Sequence, residues 1–121
     1  MEWLVKACWA ILGLVHLMPA LALFQPSLIS KLYRVGQDNP LFLLLHHRAA
    51  LFVVILILCI WAMLVPDVRR LATICVGFSM VSFLLLYWQA GAPPALKSIA
   101  IADAVALPAL AFAAWSAFSQ P

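Results

Sequence analysis

Four long apolar runs separated by short polar breaks organise this chain, at about residues 3–24, 41–65, 71–90 and 94–118. Crossing a bilayer takes about 20 mainly apolar residues in helical form, and each run meets that length. The alternation that a barrel strand needs is absent, and backbone groups in lipid must be satisfied within the segment. The runs are therefore predicted to be helices. Pro66 stops the second run, "GAPP" stops the third, and Pro94 falls in the first turn of the fourth, where a missing N–H does no harm. The first run, with Lys6 near its start and "ALA" at 20–22, imitates a signal peptide; its length makes it a span instead.

The connections differ. "PDVRR" and "GAPPALKS" are tight, which makes runs 2 and 3, and runs 3 and 4, antiparallel neighbours. The first connection, "QPSLISKLYRVGQDNP", is longer. Its Leu28, Ile29, Leu32 and Val35 fall near helical spacing with Lys31 and Arg34 between them, and Gly36 offers a stop. This predicts a short helix lying in the membrane interface. Trp3, Trp61, Tyr87, Trp88 and Trp115 sit near span ends, as aromatic belts do.

Composition supports the same class. Of 121 residues, 68% are hydrophobic and 9% charged, more apolar surface than a soluble fold of this length can hide. The net charge of +3, with 7 Lys and Arg spread along the chain, leaves no basic patch for nucleic acid. Lys6, Arg69 and Arg70 mark one side of the bilayer, and Lys31, Arg34 and Lys97 the other. Positive charge therefore sets no orientation. Cys8, Cys59 and Cys75 lie in separate apolar runs with no C-x-x-C spacing, and read as buried thiols. The expected architecture is an all-α integral membrane four-helix bundle, one domain over residues 1–121, with a short interfacial helix between spans 1 and 2.

Candidate chemistry is confined to a few polar residues inside the runs. In "LFLLLHHRAALFVVIL", His47 and Arg48 lie about 9–11 Å inside span 2, measured from the side of the long connection. From that same side, His16 and Ser82 lie about 12 Å deep and Asp103 about 13 Å deep. Every span thus places a polar group at one depth in one leaflet, while the opposite leaflet holds little beyond Leu, Val, Ile, Ala and Cys. Charges in a bilayer are costly, so Arg48 and Asp103 are expected to face inward and to pair, with His16 and His47 completing the set. At 100° per residue His46, His47 and Arg48 cannot all face the axis, and His46 is the one expected to turn toward the interface or a neighbouring helix.

A plainer reading stands beside each of these. The Arg48–Asp103 pair also fits a register-fixing ion pair, although intramembrane ionisable residues point to function first, and His16, with Gly13 and Pro19 three residues either side, is equally interhelical glue. Ser79 and Ser82 most often bond back to their own helix. The alanine pairs Ala100/Ala104, Ala102/Ala106 and Ala109/Ala113 are small-xxx-small packing motifs. His16 and His47, from two spans at similar depth, have the placement that axial ligands of a haem or a metal ion would need, an alternative to the ligand pocket. No Glu-x-x-His, C-x-x-C-H, phosphate loop or G-x-S-x-G is present. Span 1 also lacks the glutamate of small proton-coupled drug exporters.

"GLVHLMP", "LLLHHRAALF", "VSFLLLYW" and "IADAVAL" together resemble a group of small bacterial four-helix membrane proteins, loosely DoxX-like. Arg48-Ala49-Ala50 is similar to the DoxX-like pattern of Arg followed by small residues. The resemblance implies a bacterial inner-membrane protein, an accessory subunit of a redox system that deals with quinones. The functional expectation is a binding protein for a small amphipathic or anionic ligand, quinone- or lipid-like. Its pocket would be built from His16, His47, Arg48 and Asp103 with Ser82 at the edge, alone, as a homo-oligomer or within a larger membrane complex. A proton-coupled transporter using Asp103 and the histidines is a further alternative.

Overall fold

A computed structural model describes residues 1–119. Its helices are α1 (Glu2–Leu21), α2 (Ser27–Tyr33), α3 (Leu41–Leu64), α4 (Arg69–Gln89) and α5 (Lys97–Ser119). Single 3₁₀ turns at Pro66–Val68 and Pro94–Leu96 lead into α4 and α5. The fold is all-α, and its four long helices have the length and hydropathy to cross a membrane. Span ends follow the prolines: Pro66 and Pro94 each open a 3₁₀ turn where the chain re-enters a helix. At the start of α3, the Asn39 side-chain oxygen accepts the Leu41 N–H at 3.0 Å, satisfying one donor the helix leaves open. The short helix ends on Arg34, which takes the left-handed conformation (φ 57°), and not on Gly36 as its sequence suggested.

Around the bundle, α1 packs closely along α3 and along α5, α4 packs along α5, and α3 and α4 touch more sparsely. The core interleaves Trp9, Leu12, Val76, Met80 and Leu110 with the small residues Cys59, Ala62, Ala72, Ala106 and Ala113. Small side chains let helix backbones approach where hydrophobicity alone gives no preference for a neighbour over lipid. The packed face of α5 is Ala106, Leu110, Ala113 and Ala117, with Ala100 above it. Ala102 and Ala104, two members of the alanine pairs, are exposed. Outward-facing Leu14, Leu43, Leu51, Val54, Phe78 and Val105 form an apolar surface that hydrocarbon suits and water does not.

Gly13 faces α3. A Cβ there would meet Cys59 Cβ and Leu56 Cδ1 at 3.6 Å each, ordinary van der Waals contact. Gly13→Ala is therefore expected to change stability by less than about 1 kcal/mol, since helix propensity favours alanine. Gly13→Leu is expected to cost about 1–3 kcal/mol by overpacking. Thermal melting in detergent micelles checks both.

α2 is more than a surface helix. Its Ile29 and Tyr33, one turn apart, are buried against Ala22, Ala49 and Ile99 and close one end of the bundle. That docking brings Tyr33 over the polar residues of α3.

Candidate functional site

Arg48 projects from the second turn of α3 and is half-buried. Its Nη1–H donates to the Tyr33 hydroxyl at 2.5 Å. Its guanidinium carbon lies 4.5 Å from the centroid of the Phe52 ring, 5.3 Å from Phe83 and 5.4 Å from Tyr33. Three aromatic faces thus surround the cation, each attracting it through the ring quadrupole. Burial pushes the Tyr33 hydroxyl above its ordinary value, more than the Arg48 charge lowers it, so the partner of Arg48 at neutral pH is an uncharged dipole.

Arg48 opens onto a cavity of about 530 Å³ where α3 and α4 diverge. Ser79 and Ser82 from α4 line it, together with Ile55, Leu58, Cys75 and Phe78. Ser82 Oγ–H donates to Ser79 O at 3.2 Å, back to its own helix. The mouth is formed by Leu51, Val54, Phe78 and Leu86, all exposed, so the groove opens sideways through the apolar surface.

His16 and Asp103 line a different cavity, of about 210 Å³, with Pro19, Leu32, Ser98 and Ile99. His16 is buried, and its Nδ1–H donates to Leu12 O at 2.8 Å, leaving Nε2 as the free ring nitrogen. Phe52 is the residue the two cavities share, and its ring lies 5.7 Å from that of His16.

Two expectations need correction. Arg48 and Asp103 do not pair directly: among the described residues the one ion pair joins Arg69 to Glu2. The guanidinium lies against Phe52 and Tyr33, while the carboxylate lines the cavity beyond Phe52. His47 does not join the set either. It is exposed, on the outer face of α3 with Leu43, Leu44 and Leu51, because turning Arg48 and Ala49 inward turns the preceding side chain out. The enclosed His16 and the outward His47 therefore share no chamber, and the described residues contain no cluster of three or more metal-ligating side chains. His46 is half-buried, and its Nε2–H donates to Leu23 O at 3.0 Å, tying α3 to the turn after α1.

Sequence reasoning missed Tyr33, Phe52 and Phe83. Tyr33 was signalled by falling four residues after Ile29, on the same face of a short helix. Phe52 sits four residues after Arg48, directly over it on α3. In the opposite leaflet, expected to hold little beyond Leu, Val, Ile, Ala and Cys, Thr73 and Ser116 are buried, as is Arg69, which the sequence marked only as a charge on that side.

Fold and site together define a membrane-type four-helix bundle with an aromatic-caged arginine at the head of a sideways-opening groove. Compared with known proteins, the chain matches no family model, no curated protein and no solved structure.

Proposed function

We propose that this is a small integral membrane protein that binds an amphipathic molecule, quinone- or lipid-like, with its polar head at Arg48 and its apolar part in the α3–α4 groove. One observation carries this reading. An arginine is always charged, and within a span a charge is costly unless compensated. Arg48 spends one donor on a neutral hydroxyl, and no carboxylate among the described residues pairs with it. Its remaining donors head a groove whose mouth faces where lipid would lie. Intramembrane ionisable side chains of this kind mark binding sites by default. The DoxX-like resemblance adds a bacterial inner-membrane setting and a role as accessory subunit of a quinone-handling redox complex.

Purified protein is expected to bind radiolabelled decylubiquinone or palmitate in a saturable way. Arg48→Ala is expected to weaken whichever probe binds by about ten- to hundredfold, the loss of hydrogen bonds to a charged donor worth about 1.5–3 kcal/mol. Unchanged affinity in a variant that keeps its gel-filtration profile would remove Arg48 from the site and the reading with it.

A further inference from the structure

We infer that the groove takes a single-chain carboxylic acid, bound as its carboxylate at Arg48 with the chain directed toward the bilayer centre. This rests on the reading of the α3–α4 groove given above and narrows it to one chemical class.

Charge argues first. The Arg48 cation has only a hydroxyl dipole and three aromatic rings around it, and Asp103 lies in the cavity on the other side of Phe52. A quinone carbonyl would add one more neutral dipole, whereas a carboxylate cancels the charge and exploits the strength of charge-assisted hydrogen bonds. The shape of the guanidinium argues second. Nη1 is committed to Tyr33, which leaves the edge made by Nε–H and Nη2–H. Two parallel donors on one edge match the two oxygens of a carboxylate side-on.

The groove argues third. Its polar side chains are Arg48, Ser82 and, about one turn further in, Ser79, and the wall continues to Leu58 and Cys75 without another polar side chain. From Arg48 to Leu58 is about 15 Å of helix, a length of apolar wall suited to an extended alkyl chain. The volume of about 530 Å³ lies within the range of small-molecule sites, roughly 300–1,000 Å³. Depth separates this occupant from a phospholipid. Arg48 lies seven residues into α3, about 10 Å below the helix start, where a headgroup phosphate does not sit but a free fatty acid can sink.

The first comparison, of acid against ester, uses the unmodified protein. The full chain is placed in phosphatidylcholine nanodiscs at pH 8, where the acid is ionised, with empty nanodiscs as the partition control. Radiolabelled palmitate is expected to bind at least tenfold more tightly than methyl palmitate. Neither decylubiquinone nor phosphatidylglycerol doped into the disc is expected to displace it. Equal affinity of acid and ester overturns the carboxylate assignment, and leaves the groove reading intact where Arg48→Ala weakens both. Displacement by phosphatidylglycerol assigns the anion to a phospholipid headgroup and overturns it too. Displacement by decylubiquinone returns the site to quinones. Binding of no probe overturns this inference together with its parent reading. Arg48→Lys, which keeps the charge and loses the two-donor edge, is expected to retain less than a third of the palmitate affinity; full retention overturns the side-on geometry.

Discussion

Arg69→Ala is expected to destabilise the bundle by about 2–4 kcal/mol, although Arg69 lies at the end of the molecule away from Arg48. The cause is written in the sequence at Pro66. The last carbonyls of α3 need donors, and the residue four positions after Ala62 is a proline with no N–H to give. Arg69 supplies the missing donor: its Nε–H reaches Ala62 O at 2.7 Å and its Nη2–H reaches Met63 O at 3.2 Å. Ala62 is fully buried, so water does not replace the guanidinium there. Each buried carbonyl left without a donor costs about 1–3 kcal/mol. Arg69 also holds Glu2 at 2.6 and 3.1 Å, tying the start of α1 to this corner. The Glu2 side chain is 57% exposed, however, and exposed pairs contribute little. Glu2→Gln is therefore expected to cost less than about 1 kcal/mol. Unfolding of both variants in mixed detergent micelles separates the two roles. Equal losses would make the ion pair, and not the capping of α3, the source of stability.

Much of the architecture was legible because span length, proline and glycine positions are one-dimensional facts. The four helices lie within a few residues of the apolar runs, and the short helix was visible in the spacing of Leu28, Ile29 and Leu32. Rotation about the helix axes was not legible. In a soluble helix the apolar stripe marks the inside, but a span is apolar on the lipid face and on the core face alike. Hydrophobicity then carries no angular information. α3 shows this directly: its buried residues are Ala49, Cys59 and Ala62, while Leu43, Leu44, Leu51 and Val54 face out. Residue size marks its packed side. Read that way, Ala49 next to Arg48 turns Arg48 inward and His47 outward from the sequence alone. Arg69 was legible only as a topological charge, because the demand it meets comes from a proline three residues upstream. Shared depth brought His16, Arg48 and Asp103 to one level of the bundle, but depth says nothing of what stands between them.

What stands between them is Phe52, and Phe52→Ala is expected to lower palmitate affinity at least tenfold, as much as Arg48→Ala does. Its ring packs against the Arg48 guanidinium at 4.5 Å, lies 5.7 Å from the His16 ring, and lines both cavities. Truncation joins the two spaces and removes the apolar wall between the guanidinium and the Asp103 carboxylate. The two opposite charges, tethered in one chamber at high effective concentration, then pair, and the external anion loses its receptor. Stability falls as well, by about 2–3 kcal/mol, less than for a fully buried phenylalanine because Phe52 is only half-buried. The decisive comparison is Phe52→Ala combined with Asp103→Asn. Removing the internal competitor is expected to restore palmitate binding to within about threefold of the unmodified protein, while Asp103→Asn alone leaves it no weaker, because an ionised guanidinium chooses between two carboxylates. A double variant as weak as Phe52→Ala would show that the ring acts through packing and its hold on the cation alone. Recovery would establish that the bundle keeps its arginine available by holding its own carboxylate behind an aromatic wall.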